Sequence, residues 1–321
     1  MRKVALIILN WNGQEMILNC LTSVLKANVK DFELEIIVVD NGSTDGSAKY
    51  LKELIDNSEL AVKNKKLITG NRSPITLRLV ENKENLGFAE GNNVGIREAL
   101  KNNADYICLL NNDTRVDRNF LVSLIKAAEE EKSAGILGGK IYFEKGFEYF
   151  KDKYSEKEKG KVIWYAGGKI DWLNVYASHR GVDEVDKGQY EKREETEYVN
   201  GCLMLIKSEV FGKIGLLNPK YYLYYEENDF CQRAQEAGYK LFYEPKSVIW
   251  HLNAGSSGSG SSLHDYFLTR NRMIFGLKYA PFRSKAALIK ESFWLLRKGR
   301  KWQKKAILDF YKGNLEKGSW K

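Results

Sequence analysis

Residues 4–9 (VALIIL) form an unbroken apolar run that stops at Asn10, Trp11, Asn12 and Gly13. A short apolar run bounded by turn formers reads as a strand buried on both faces. Ile17, Leu18, Leu21, Val24 and Leu25 then recur at helical spacing, so an amphipathic helix follows. Residues 35–39 (EIIVV) predict a second buried strand, ending at Asp40. The stretch 41–46 is a turn in which Ser43 or Thr44 can cap the next helix. Strand, helix and strand with wholly apolar strands predict a parallel sheet covered on both faces. The unit then recurs: a strand over 76–81, a turn at 85–88, a helix over 89–101, and a buried strand over 106–110 that ends in Asn111, Asn112, Asp113 and Thr114. Phe120, Leu121, Leu124, Ile125 and Ala128 mark a further helix, so the first 130 residues predict a βαβ half of nucleotide-binding type.

From about residue 141 the pattern changes. Residues 144–161 mix Lys and Glu densely and read as a solvated excursion, and residues 56–73 read as a surface loop. Strands are expected over 162–165, 169–172 and 198–206, with a helix over 208–214. The tyrosine run 221–225 leads into the acidic start of a helix at Glu226, Glu227, Asn228 and Asp229. Two strands, 241–243 and 248–250, flank Pro245; a Gly/Ser loop covers 254–262; helices cover 264–279 and 284–311.

Composition narrows the class. Hydrophobic residues at 43% and charged residues at 29% exclude wholesale disorder, and four cysteines without metal-type spacing read as buried thiols in a reducing compartment. The opening apolar run is too short for a signal peptide or a membrane span. The net charge of +9 lies in the tail: residues 283–321 hold twelve Lys/Arg against three Asp/Glu, which leaves thirty-nine of each over residues 1–282. A neutral body argues against a nucleic-acid partner, while a basic tail with an apolar stripe predicts contact with an anionic membrane surface or packing on the body.

Polar residues gather where apolar strands end: Asp40 after EIIVV, Asp113 after YICLL, His251 after SVIW. In a parallel α/β sheet ligands bind outside the carboxyl ends of strands, so these three point to one crevice. The ordered motifs Asn10-Trp11-Asn12-Gly13, VVDNGSTDGS (38–47), ENLGFAEGNNVGI (84–96), LLNNDT (109–114), NGCLMLIKSEV (200–210), YYEENDFCQRAQEAGY (224–239) and IWHLNAGSSG (249–258) resemble glycosyltransferase family 2 over about residues 4–280. This family comprises the inverting, nucleotide-sugar-dependent transferases of the GT-A fold, and the chain is most similar to its rhamnosyltransferase-like branch.

The resemblance implies an α/β GT-A domain with a Rossmann-like, mostly parallel central sheet and helices on both faces. It implies a donor half over 1–115, an acceptor and catalytic half over 116–262, and a helical basic region over 263–321. Asp40 would hold the base or ribose of a dTDP- or UDP-sugar, with Asn10, Asn12, Asn85, Gly87, Asn92 and Asn112 around the donor. Arg270 and Arg272 would clamp its diphosphate. Asp113, His251 and Asn111 would meet a divalent cation, Mn²⁺ or Mg²⁺; Asn111 stands where the family's motif carries a first Asp. Glu227 matches the general base, with Glu226 as the alternative and Asp229 orienting the acceptor or pairing with Arg233. Gly201, Cys202 and Tyr225 would face a glycan or lipid-linked acceptor, and the enzyme would act in the cytoplasm or at the inner face of the cell membrane. The departures at Asn111 and Glu227 leave open an inactive nucleotide-sugar- or glycan-binding protein. A sugar nucleotidyltransferase would want a basic N-terminal phosphate loop, which residues 10–16 lack.

Overall fold

The structure is a computed structural model and describes residues 1–57, 75–150, 152–252 and 261–320. The surface-loop stretch 56–73 starts at the end of a helix and otherwise lies outside the described residues, as does the Gly/Ser stretch 254–260. The first part alternates β1 (Arg2–Asn10), α1 (Gln14–Val24), β2 (Phe32–Asp40), α2 (Ser47–Asn57), β3 (Ile75–Glu81), α3 (Gly87–Lys101) and β4 (Tyr106–Asn111). It continues through β5 (Thr114–Val116), α4 (Phe120–Glu130) and β6 (Ala134–Phe143) to the short strands β7 (Ile163–Tyr165), β8 (Gly168–Asp171), β9 (Tyr176–His179) and β10 (Glu194–Glu195). Then come β11 (Leu203–Lys207), α5 (Ser208–Ile214), α6 (Glu226–Glu236), β12 (Lys240–His251), α7 (Ser262–Tyr279), α8 (Phe282–Lys298) and α9 (Lys301–Lys312).

One sheet runs β10-β12-β6-β11-β4-β1-β2-β3. Strands β4, β1, β2 and β3 are mutually parallel, as are β6 and β12, while β11 lies antiparallel between β4 and β6. Residues Val4 to Ile8 and Ile36 to Val39 are at most 1% exposed, as expected of strands covered on both faces. Close helix packing explains a glycine: a Cβ at Gly95 of α3 would stand 2.7 Å from Ile7 Cγ2.

Three expectations are corrected. The strand expected over 198–206 starts only at Leu203, because the Asn200 side chain accepts from the Cys202 amide and bends the chain first. The two strands around Pro245 are one strand, β12, whose register against β6 slips between Glu244 and Val248; proline lacks the N–H that a regular ladder would need there. The helix expected over 284–311 breaks at Gly299 and Arg300, both extended, and folds back as α8 and α9.

Candidate active site

Parallel register sets the first corner of the site. Asn10 lies opposite Asp40 across β1 and β2, and Leu9 opposite Asn111 across β1 and β4, so three strands release their polar ends on one edge. Asn10 and Asp40 are buried. Asn10 Nδ2 donates to Asp40 Oδ2 at 3.2 Å, Asn112 Nδ2 donates to Asn10 Oδ1 at 2.8 Å, and the Ser43 amide donates to Asp40 Oδ1 at 2.9 Å. Asn12 sits in the left-handed region (φ 49°) and accepts from the Thr44 amide at 2.7 Å, which ties the turn after β1 to the turn after β2. Trp11 between them is 52% exposed.

A second corner forms where β5 pairs with the end of β12, with Thr114 opposite His251. The Leu252 amide donates to the Asp113 carbonyl, and His251 Nε2 stands 3.1 Å from Asp113 Oδ2. Burial works to raise the Asp113 carboxyl, but the imidazole and a backbone donor hold it below the usual carboxylate range. The remaining buried atoms of the pair, Asp113 Oδ1 and His251 Nδ1, have no hydrogen-bond partner. Buried polar atoms without partners are rare and suit a ligand from outside the chain. Among the described residues no cluster of three or more His, Cys, Asp or Glu side chains is placed to hold a metal. A cation here would therefore take one carboxylate and one imidazole from the protein and its other ligands from substrate and water. That donor set fits a divalent ion that arrives with a diphosphate.

The third corner is the start of α6. The preceding residues Tyr222, Tyr224 and Tyr225 all have positive φ (65°, 68° and 71°), a conformation costing about 1–3 kcal/mol for each bulky residue. α7 and α3 hold them there. Asn271 Nδ2 donates to the carbonyls of Tyr221, Leu223 and Tyr224, each at 2.8 Å, and Phe88 N donates to the Tyr222 carbonyl at 2.6 Å. Gly87, with φ +81°, lies against the Tyr222 ring where a Cβ would stand 2.4 Å away. This strained bend delivers Glu226 and Glu227 together. Burial pushes both carboxyls up, and the charge of Glu227 pushes Glu226 further. Glu226 is raised the further of the two, while its hydrogen bond and the amides of the helix start work against the rise on Glu227 and favour its anion. One oxygen of each, Glu226 Oε2 and Glu227 Oε2, is buried without a partner. Gly201 lies beside them: a Cβ there would be 3.2 Å from the Phe88 ring and 3.8 Å from Glu227 Cβ.

Other expected site residues are placed elsewhere or already occupied. Arg270 is fully buried and its Nη2 donates to the carbonyls of Lys220 and Tyr221, so it braces the tyrosine bend, while its Nη1 is buried without a partner. Arg272 donates to the Asn174 carbonyl through Nε, pairs with Glu291 through Nη1 and covers the Tyr176 ring. Asp229 is 0% exposed and accepts from Arg233, Lys278, Tyr279 and Tyr221; of the two roles considered for it, pairing with Arg233 is the one present. Tyr225 is buried with its hydroxyl donating to the Val175 carbonyl, and Cys202 is buried with its carbonyl accepting from the Asn111 amide, so neither faces an acceptor. Asn85 accepts from Asn41 and from the Gly87 amide, and Asn92 donates to the Phe88 carbonyl; both shape the turn and helix around Gly87. Asn111 uses its carbonyl on the Thr114 hydroxyl, and its side chain makes no hydrogen bond to Asp113 or His251 among the described residues.

The sequence reading missed the chain of side chains that links the second corner to the third. Trp164 packs between His251 and His179, with ring centroids at 4.6 and 4.3 Å. His179 Nδ1 lies 3.0 Å from the Trp164 carbonyl and Nε2 lies 3.2 Å from Asn200 Nδ2. Burial lowers His179 to about 4, so the neutral ring donates to Trp164 and accepts from Asn200, the residue before Gly201. Asn41 was missed too. It bonds Asn82, Asn85, the Leu86 amide and the Gly87 carbonyl, and so fixes the Gly87 turn to the end of β2. Only the shortage of histidines, three in the chain, could have drawn attention to His179.

These three corners can be set against known proteins. Residues 5–215 match the family model described as Glycosyl transferase family 2. The chain is 22% identical to the low-salt glycan biosynthesis hexosyltransferase Agl10 of Haloferax volcanii, over 84% of this chain and 74% of that protein. It is also 22% identical to the N-acetylglucosaminyl-diphospho-decaprenol L-rhamnosyltransferase of Mycobacterium tuberculosis, over 72% of this chain and 70% of that one. Among solved structures it is similar to the mannosyltransferase PcManGT from Pyrobaculum calidifontis in complex with GDP-Man and Mn²⁺, with a TM-score of 0.53 at 16% identity over 98% of this chain and 75% of that one. It is similar as well to GalNAc-T7 with UDP, GalNAc and Mn²⁺, with a TM-score of 0.58 at 16% identity over 93% and 56% of the two chains. A family match over most of the chain, with the parallel sheet and its polar strand ends, makes this protein a sugar-transferring member of glycosyltransferase family 2, built on the GT-A fold.

Proposed function

We propose that the enzyme moves a sugar from a nucleoside-diphosphate donor to a hydroxyl of a glycan or lipid-linked acceptor, with inversion at the anomeric carbon and Glu227 as the general base. The observation that carries this reading is the carboxyl pair at the start of α6. Both carboxyls are buried, Glu226 is pushed further from ionisation than Glu227, and each has a buried oxygen with no partner. Inversion in one displacement needs one base and no covalent nucleophile. A base whose carboxyl is raised by burial is better matched to taking a hydroxyl proton near neutrality than an ordinary glutamate.

Asp40 and Asn10 suit a nucleoside, since the carboxylate accepts from a ring N–H or ribose hydroxyl. The exposed indole of Trp11 can stack on the base. Asp113 and His251 would hold a divalent cation, which when bound neutralises charge on the leaving diphosphate. The presence of Mn²⁺ together with GDP-Man in the PcManGT structure, and with UDP and GalNAc in the GalNAc-T7 structure, supports that assignment. The diphospho-decaprenol in the name of the mycobacterial relative supports a lipid-linked acceptor, and the donor we propose is a dTDP- or UDP-sugar. Four buried free thiols fit a reducing, cytoplasmic setting.

The test is a panel of UDP-, dTDP- and GDP-sugars with polyprenyl-diphosphate sugars as acceptors, followed by NMR of the product. Acceptor-dependent release of nucleoside diphosphate, with anomeric configuration opposite to the donor's, is expected. A retained configuration sinks the inverting reading. Equal turnover by Asp113→Asn, or in EDTA, sinks the metal assignment.

A further inference from the structure

The basic C-terminal region is half core and half surface. Leu288 and Leu295 of α8 are buried, with Leu288 against Gly276 of α7, and Ala306 and Ile307 of α9 are buried as well. Trp302 joins Tyr222, Tyr266, Phe267 and Trp320 in a cluster beneath the hairpin. The hairpin's inner face is therefore satisfied by the body. Its outer face is not. Phe282 is 84% exposed, Phe293 62% and Trp294 60%, and Ile289 is exposed between them. Phe282, Ile289 and Phe293 follow one another at helical spacing on one stripe of α8. Tyr311 of α9 extends it, its ring stacked beside Phe293 at 6.2 Å.

The charge around this stripe has one sign. Arg283, Lys290, Arg297 and Lys298 are exposed, and among the described residues none has a carboxylate within ion-pair distance. The three carboxylates of 283–321 lie elsewhere in the region: Glu291 pairs with Arg272, Asp309 is buried and bonded to Tyr266 and Asn314, and Glu316 follows α9. We propose that the outer face of the α8–α9 hairpin docks the enzyme on an anionic lipid surface. The aromatic stripe would enter the headgroup boundary and the four cations would lie against lipid phosphates. The amphipathic side chains suit that boundary, and the clustered cations suit its negative potential. A second copy of this chain is a poorer occupant, because a two-fold contact would set this unpaired basic rim against itself. No described helix is long and apolar enough to cross a membrane, so the contact is interfacial. The inference does not rest on the transfer chemistry proposed above.

Full-length enzyme sedimented with vesicles of phosphatidylcholine, with and without phosphatidylglycerol, tests this. Co-sedimentation is expected with the anionic vesicles only, and high salt should release it. Phe293→Glu with Trp294→Glu, and separately the triple change Lys290→Glu, Arg297→Glu and Lys298→Glu, should each lower partition at least about tenfold. All five side chains are exposed, so the melting temperature and donor hydrolysis in solution should stay at wild-type levels. Wild-type protein remaining in the supernatant at low salt overturns the proposal, as does unchanged partition of either variant. Light scattering that shows a dimer, lost in the Phe293→Glu, Trp294→Glu variant, overturns it in favour of a second copy.

Discussion

Glu226 and Glu227 are neighbours of one residue type, and their surroundings give them different tasks. Burial and the charge of Glu227 both oppose the ionisation of Glu226 and favour its protonated form. Glu226→Gln imitates that protonated acid and should keep transfer within a few-fold of wild type. Glu227→Gln should bind donor normally and lose roughly 10²–10⁴ in kcat. Steady-state kinetics of the two variants decide the assignment, and a dead Glu226→Gln beside an active Glu227→Gln reverses it. The same pair marks stability against pH. A carboxyl raised above its ordinary value near 4.5 stabilises the fold fully below that value, and the contribution is lost as pH rises through the folded-state value. Melting temperature should therefore fall as pH is raised from the ordinary glutamate range, and Glu226→Gln should flatten that fall. An unchanged slope would show that burial of Glu226 is not its cause. The acidic cluster itself was legible in the sequence. Which carboxyl is raised further, and that Asp229 is enclosed by Arg233, Lys278, Tyr279 and Tyr221, depends on burial among segments some fifty residues apart, and no local pattern carries that.

At the scale of elements, the tyrosine bend before α6 is the least regular part of the site and the most heavily braced. One amide group, Asn271 Nδ2, serves three carbonyls, and Arg270 serves the Tyr221 carbonyl and its neighbour from Lys220. Asn271→Ala leaves these buried acceptors short of a donor at a cost of about 1–3 kcal/mol. If the bend relaxes, Glu227 loses its aim. The expected result is a drop in kcat with donor KM nearly unchanged, together with a lower melting temperature. A lower melting temperature with full kcat would make Asn271 a purely structural brace. α7 was legible as a helix, yet its Arg270 and Arg272 were read as substrate-facing, and Asn271 between them was not read as a site residue at all. The sequence shows that a polar residue is present on a helix, not that the facing loop has turned its carbonyls inward. The break between α8 and α9 was hidden for a related reason. Gly299 interrupts a pattern whose apolar spacing runs on, and only packing on α7 shows that the chain reverses.

Over the whole molecule, the parallel half was legible almost strand for strand, because β1, β2 and β4 are apolar runs ending in polar turns. The second half was not. β6 is buried nearly throughout, but its sequence AGILGGKIYF holds three glycines and a lysine and matches no alternation. Its glycines make room for close neighbours: a Cβ at Gly139 would stand 2.4 Å from the Ser247 carbonyl and one at Gly138 2.5 Å from Val199. Its lysine, Lys140, is buried against Asp186 and Glu191 from a loop more than forty residues later. Such non-local compensation is invisible to periodicity. The first two site corners were legible as residue types at strand ends, and the third as an acidic helix start. Their linkage through Trp164, His179 and Asn200 was not, since it joins three short segments that share no motif.

The place of β11 has a consequence for synthesis. β4 and β6 are both complete by residue 143 but do not pair with each other; the slot between them belongs to residues 203–207. On the ribosome, at about 5–20 residues per second, both inner edges stay open for several seconds while sixty further residues are made. Open apolar edges recruit other strands, and chaperones bind them. Nascent chains stalled with residues up to 150 outside the exit tunnel should crosslink to chaperone, and chains stalled once residue 215 has emerged should do so much less. Equal crosslinking at the two lengths would mean that β4 and β6 protect each other before β11 arrives.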